Sequence, residues 1–342
     1  MKKIFLIGLT AAAMLASCSN DETVEMAQQK AISFSNAFVN NGTRSVVDPS
    51  FTTSTLKDFA VYGFTQNGQI FNGEKVSGTT STGWSYDNVQ YWVPGNTYTF
   101  GAIAPYSVAG NVSNVTLPTG ATKVEMEVAF TNKDADQVDL LHAAPTQITG
   151  VTASYTNPVG MTFNHQLSKV KFSFENAVGA GYNVRVKDVK ITDAYAKGTL
   201  TVAAAGNNWS NQTDKTLELN FGNVVADAST TEASVIANAA TLESYNEKLM
   251  IPMENTAIYT VKFTAELYKG NVLLGTYPHT VEIKNVEFKL GYCYNFKASL
   301  THKNITGPDE LNPIKFNVTS VENWNQTESN KDLNVPTTHS GI

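Results

Sequence analysis

Apolar and polar residues alternate in short runs along most of this 342-residue chain. In residues 124–130 every second side chain is apolar, and the positions between hold glutamate or alanine. Residues 259–267 alternate in the same way without a break. Because residues two apart lie on the same face of a β-strand, each run predicts a strand with one buried and one solvated face.

The same reasoning predicts the other strands and several turns. Asn67-Gly68 and Gly270-Asn271 carry the residue types that tight hairpin turns favour. A slip in the alternation near Asp188 indicates a β-bulge. Two segments are candidates for short helices, although neither carries a helical stripe: residues 136–142 and 239–246. The remaining predicted strands are residues 28–41, 56–66, 89–93, 98–105, 170–174, 184–191 and 272–283.

The first 17 residues have the features of a secretory signal peptide. Lys2 and Lys3 precede an apolar run, residues 4–15, that is too short to span a bilayer. The run leads into Leu-Ala-Ser-Cys, which resembles the bacterial lipobox. In that interpretation the peptide is cut between Ser17 and Cys18, and Cys18 receives several acyl chains. Several chains on one residue give stable membrane anchoring where one chain is marginal.

Chain length and composition then indicate how the residues after the signal peptide divide into domains. Removal of 17 residues leaves 342 − 17 = 325, which suggests two domains at about 150 residues each. Residues 18–30 form a tether, and a polar, proline-marked stretch at residues 146–158 separates two strand-rich halves. The sequence therefore predicts an all-β protein with two tandem antiparallel β-sandwiches, at residues 31–160 and 161–342, behind a lipoprotein signal peptide.

Candidate chemistry is sparse. A net charge of -6 argues against a nucleic-acid partner. The five histidines form no i, i+4 pair and have no acidic companion at metal-ligand spacing, and residues 132–139 lack the glycine and closing glutamate of a calcium loop. With Cys18 lipidated, Cys293 has no disulfide partner and reads as a small apolar strand residue. We therefore expect no enzyme activity, no catalytic residues, no cofactor and no metal.

Four blocks of sequence resemble the fimbrillin family, the type V pilins, in the order in which that family carries them. They cover nearly the whole chain after the signal peptide. The blocks are Trp-Ser-Tyr at 84–86 with Tyr-Trp at 91–92 and Tyr-Thr-Phe-Gly-Ala-Ile-Ala-Pro at 98–105; Asp-Leu-Leu-His-Ala at 139–143; Phe-Asn-His-Gln-Leu-Ser-Lys-Val at 163–170; and residues 291–300 with Val-Glu-Asn-Trp-Asn at 321–325.

The resemblance implies transthyretin-like sandwiches and a mechanism of assembly. In the family a lipidated precursor reaches the outer membrane, and a protease cuts in the loop after the first strand, commonly after an arginine. A strand from a neighbouring subunit then fills the groove. In this chain the cut would fall between Arg44 and Ser45, although Lys30 or Lys57 suits another protease. The removable strand would carry Ile32, Phe34 and Phe38, and the donor tail Ile314, Phe316 and Val318.

Stalk, tip and membrane-anchoring roles remain open at this point. The primary hypothesis is a fimbrial subunit on the cell outer membrane, anchored by lipid on Cys18 and joined to other fimbrial subunits by strand exchange. The alternative is a surface lipoprotein that does not polymerise and binds a glycan or a host protein. In that case Trp84, Tyr86, Tyr91 and Trp92 would form a stacking platform.

Overall fold

The computed structural model describes residues 30–39, 55–227, 229–253, 257–308 and 311–323. Within these ranges the chain is almost entirely strand, with one 3-10 helix, Tyr106–Asn111, and one short α-helix, α1, His302–Thr306. The strands are β1 Phe34–Val39, β2 Asp58–Thr65, β3 Gly68–Thr79, β4 Gly83–Ser85, β5 Tyr98–Ala104, β6 Val112–Thr116, β7 Glu125–Thr131, β8 Leu141–Ala143, β9 Val159–His165, β10 Ser168–Asn176, β11 Tyr182–Ala194, β12 Lys197–Val202, β13 Asn208–Thr213, β14 Leu217–Gly222, β15 Thr241–Glu243, β16 Lys248–Met250, β17 Tyr259–Lys269, β18 Val272–Ile283, β19 Tyr292–Leu300 and β20 Phe316–Asn323.

The strands form four sheets. One sheet has the order β1-β9-β8-β5-β2-β3-β4, and a second has β13-β12-β7-β6. A third sheet has the order β15-β10-β19-β20, with β16 also paired to β10, and a fourth has β14-β11-β17-β18. Most neighbours run antiparallel, which confirms the predicted fold class. Two pairs, β1 with β9 and β10 with β19, run parallel, a feature that alternation alone does not encode.

The buried apolar residues of the described ranges form three clusters. The first contains residues of β1, β2, β5 and β9, and the last contains residues of β10, β11, β17 and β19. A middle cluster combines Met126 and Val128 of β7 with Leu200 of β12 and Leu249 of β16. The middle cluster therefore contains residues from both halves of the chain.

The sheet that contains β7 and β12 joins the two halves of the chain. The two strands pair over residues 197–202, from Lys197 with Thr131 to Val202 with Met126. The predicted boundary between residues 160 and 161 falls inside β9. The division into two sandwiches therefore stays a prediction, since a shared sheet and a shared core connect them.

Most local predictions agree with the structure. Both hairpin turns join antiparallel neighbours, β2 to β3 and β17 to β18. Asp188 has a φ of 52° where β11 shifts register against β17, which is the expected bulge. Residues 136–142 and 239–246 are not helical, and residues 89–93 form an isolated bridge at Tyr91 instead of a strand. In these three segments, contacts with neighbouring strands decide the backbone conformation, because such contacts outweigh a weak local preference for helix or strand.

Candidate functional site

Strand β1 lies at the edge of the first sheet, in a channel between two parts of the chain. On one side it runs parallel to β9, where Phe34 pairs with Val159 and the Val159 N–H donates to the Ser33 carbonyl at 2.7 Å. On the other side residues 30–32 run antiparallel to residues 90–92. There the Ile32 N–H donates to the Gln90 carbonyl at 2.8 Å, and backbone bonding continues to Lys30.

The inward side chains of this segment are almost completely buried. Ile32, Phe34, Ala37 and Val39 are each no more than 4% exposed. The Phe34 ring lies at the centre of an aromatic cluster, with ring-centroid distances of 5.5–6.2 Å to its neighbours. Those neighbours are Phe59, Phe71, Tyr86 and Phe100.

Tyr86 ties the same segment down by a polar contact. Its hydroxyl donates to the Ile32 carbonyl at 2.7 Å, and burial raises the pKa of that hydroxyl. The channel therefore holds its strand by a row of backbone bonds, by apolar contacts and by one side-chain bond. An extended segment with apolar residues at the same inward positions is what this channel can bind.

The structure places part of the predicted removable strand. Ile32 and Phe34 face the core, while the side chain of Phe38 lies outside the described residues. Ser17, Cys18, Arg44 and Ser45 also lie outside them. Lipid attachment, signal cleavage and processing at these positions therefore stay predictions.

The predicted donor residues lie in the chain's own third sheet. Strand β20 is an edge strand there and pairs antiparallel with β19. Ile314 is 3% exposed, whereas Phe316 and Val318 are only partly buried. The Phe316 ring contacts Phe172 and Phe174 at centroid distances of 5.2 and 5.7 Å. In this monomer the segment completes its own core, and its role as a donor stays a prediction.

The four aromatic residues of the alternative hypothesis do not share a surface. Trp92 is 2% exposed and packs edge-on against Tyr98 at 4.7 Å. Trp84 is half-buried, 5.2 Å from Phe59 between ring centroids. Tyr86 belongs to the Phe34 cluster, which leaves Tyr91, at 47% exposed, as the exposed ring of the four. A coplanar stacking platform is therefore not present.

The structure brings together one polar pair that the sequence analysis missed. His165 Nδ1 lies 2.8 Å from an Asp139 carboxylate oxygen, with both side chains buried. The two partners lie in separate segments, 26 residues apart, so the spacing of residues along the sequence does not indicate this contact. The pair is enclosed in the fold, and the described residues contain no group of three or more potential metal ligands.

A second histidine, His142 in the neighbouring strand, is also buried. Burial lowers the pKa of His142 to about 4, with a smaller contribution from the positive charge of Lys123. Its Nδ1 lies 3.2 Å from the Asn207 amide nitrogen. Asp134, part of the weakly calcium-like stretch, forms an ion pair with the Lys248 ammonium at 2.8 Å.

The described strands and the apolar channel that the first strand closes define an all-β structural protein. The sequence model of a family described as fimbrillin-like matches residues 43–324. The chain belongs to the fimbrillin-like family. That family is one of structural fimbrial proteins and not of enzymes.

A solved structure shows the same fold at low sequence identity. A fimbrial protein from Bacteroides vulgatus has a TM-score of 0.59 and 17% identity, over 86% of this chain and 99% of its own. A candidate cell adhesion protein from Bacteroides uniformis has a TM-score of 0.49 and 13% identity, over 87% of this chain and 99% of its own. No curated protein sequence matches the chain. No helix in the described ranges is both long enough and apolar enough to span a membrane.

Proposed function

We propose that this protein is a fimbrial subunit that is exported as an outer-membrane lipoprotein and assembled by strand exchange. Lipid on Cys18 holds the precursor on the membrane, and residues 18–30 form its tether. Proteolysis between Arg44 and Ser45 then frees β1, and the segment beginning at Ile314 of a neighbouring subunit takes its place.

The observation that carries this proposal is the position of β1. It is an edge strand, yet its inward side chains are as buried as the centre of the core. Its removal leaves an apolar channel with unpaired backbone groups on both walls, which is a strong template for an added strand. Since each subunit offers one channel and one donor at different places, the contact does not close and extends into a filament.

The sequence around residue 44 supports the cleavage step. Arg44 follows β1 by five residues and stands in a polar stretch, Asn-Asn-Gly-Thr-Arg-Ser. Polar segments with glycine suit a protease, which needs an extended substrate. The family match begins at residue 43, inside this stretch, and leaves β1 outside the matched region.

Mass analysis of the protein recovered from the surface of its own host tests the proposal. We expect a species that begins at Ser45 in detergent-resistant oligomers, together with a lipidated precursor that begins at Cys18. Arg44→Ala should abolish the short species and the oligomers, while the matched control Lys57→Ala should leave both. A monomeric species that begins at lipidated Cys18, as the sole product of the unaltered chain, would refute cleavage at Arg44 and leave either a membrane-anchoring subunit that is never cut or the glycan-binding alternative.

A further inference from the structure

Two segments of this chain carry the same inward residues at the same spacing. Residues 32–39 read Ile-Ser-Phe-Ser-Asn-Ala-Phe-Val, and residues 314–321 read Ile-Lys-Phe-Asn-Val-Thr-Ser-Val. Aligned without a gap, isoleucine, phenylalanine and valine coincide at the first, third and eighth positions. In the first segment Ile32, Phe34 and Val39 are buried in the channel.

We propose that residues 311–321 of a second copy of this chain occupy the channel in one register, with Ile314 in the place of Ile32. Phe316 then replaces Phe34, Thr319 replaces Ala37 and Val321 replaces Val39. This inference rests on the strand exchange proposed above and adds the identity of the partner and the exact alignment of the strand.

The backbone pattern of the channel accepts the proline in this register. Pro313 falls in the place of Ala31, which lies opposite Tyr91 in an antiparallel bridge. The bonds across that bridge are made by the flanking residues, from the Ile32 N–H to the Gln90 carbonyl and from the Trp92 N–H to the Lys30 carbonyl. The N–H at position 31 is thus not required for the bridge. Proline, which has no N–H, is tolerated at such a position.

The outward positions match as well. Val89, Tyr91 and Val93 are 42–47% exposed and alternate along the segment that forms one wall of the channel. Leu311 is 77% exposed in the monomer. Two residues before Pro313, Leu311 shares its outward face, so this register places Leu311 opposite Val93. An exposed apolar stripe and an exposed leucine would cover each other.

Burial favours the exchange. In its own sheet β20 lies at an edge, where Phe316 and Val321 are only partly buried. The positions that they would take in the channel, those of Phe34 and Val39, are 4% and 2% exposed. The side chains of Phe316 and Val321 would therefore be more deeply buried in the channel than in their own sheet, while Phe172 and Phe174 would lose the contact of Phe316.

Thr319 is the position at which the proposed register can be tested. It is exposed in its own sheet, but the slip in register of β1 between Ser35 and Phe38 turns its counterpart Ala37 fully inward. A lysine at residue 319 should leave the monomer folded and put an unpaired charge into the channel. Asn317→Lys is the matched control, because its counterpart Ser35 is half-buried and a lysine there can reach water.

Disulfide trapping measures the register directly. One chain carries Tyr91→Cys and a second carries Pro313→Cys, both in a Cys293→Ser background, so a bond between these cysteines joins two copies. Directly opposed residues that are not hydrogen-bonded have Cα atoms about 4.5 Å apart, which suits a disulfide. The mismatched control replaces Pro313→Cys by Lys315→Cys, which moves the thiol two residues along the strand.

We expect the matched pair to cross-link in oligomers formed by host cells, and the mismatched pair to cross-link much less. Thr319→Lys should reduce oligomers roughly tenfold or more, given the cost of an unpaired buried charge, while Asn317→Lys assembles normally. Oligomers that form without preference for the matched pair, and that tolerate Thr319→Lys, would overturn the register and leave strand exchange standing. Failure of the unaltered chain to lose β1 or to form oligomers would overturn the proposed function itself, and this inference with it.

Discussion

Strands β1 and β20 have similar sequences and different surroundings. β1 is parallel to its neighbour and its inward side chains are fully buried, whereas β20 is antiparallel to its neighbour and most of its inward side chains are half-buried. The parallel strand is held mainly by side-chain burial in a channel with two walls. The antiparallel strand, β20, pairs with one neighbour, β19, and packs against the core with one face. The comparison shows that the same apolar pattern contributes more to the free energy of folding in the channel that holds β1 than at the sheet edge that holds β20.

The largest expected effect is loss of the Phe34 ring. Phe34→Ala removes a side chain that contacts four aromatic rings, and we expect the free energy of unfolding to fall by about 3–5 kcal/mol. Urea unfolding of the full-length precursor, followed by aromatic fluorescence, measures it. Ser33→Ala is the control, since Ser33 is exposed; a loss as small as that of the control would show that the channel does not depend on β1.

The next largest expected effect is that of acid, which should destabilise the surroundings of β1 more than those of β20. His142 is in β8, within the sheet that holds β1, and burial lowers its pKa to about 4. The unfolded chain, with a histidine pKa near 6.5, binds the proton more readily, so stability is present above pH 6.5 and is lost as pH falls towards 4. Between pH 7.5 and 5 we expect a loss of about 2 kcal/mol from this group.

Urea titrations at the two pH values, with His142→Gln for comparison, measure this contribution. The variant should show a smaller loss between pH 7.5 and 5, because glutamine does not titrate in this range. Protection of β1 amides against hydrogen exchange should fall with pH more than protection of β20 amides. Equal acid sensitivity in the variant and the unaltered chain would assign the effect to other groups.

Truncation of the second phenylalanine should cost less than truncation of the first. Phe316→Ala removes a half-buried ring at a sheet edge, so we expect about 1.5–2.5 kcal/mol, below the range for a fully buried ring. The same variant should lose oligomers, because its counterpart position in the channel is deeply buried. A cost equal to that of Phe34→Ala, measured by the same urea unfolding, would contradict the energetic difference between the two sites.

The smallest expected effect is a gain in the assembly of oligomers. Thr319→Ala removes a weak 3.3 Å bond to the Asn295 carbonyl in the monomer, which we expect to cost about 0.5 kcal/mol. In the channel it replaces a hydroxyl by the methyl group that Ala37 provides there. Oligomers should therefore form faster or resist heat in detergent better than those of the unaltered chain. Unchanged or slower assembly would place Thr319 outside the channel.

The sequence alone predicts elements better than it predicts their partners. Alternation identified β7 and β17, and turn residues identified the hairpins, because both are set by local rules. The parallel pairing of β1, the pairing of β7 with β12 and the contact of His165 with Asp139 join distant segments, which periodicity does not specify. The likeness of residues 32–39 to residues 314–321 is a signal in the sequence, but its meaning depends on knowing which positions face the channel.

The ladder between β7 and β12 has a mechanical consequence. These strands pair over residues 197–202 and connect the first half of the chain to the second without an extensible linker between them. In a fibre of such subunits, tension applied at one end would pass through that hydrogen-bonded ladder and the core beneath it. Each subunit would then behave as one stiff link, and stretching would be limited by the strength of the sheet and not by the length of a hinge.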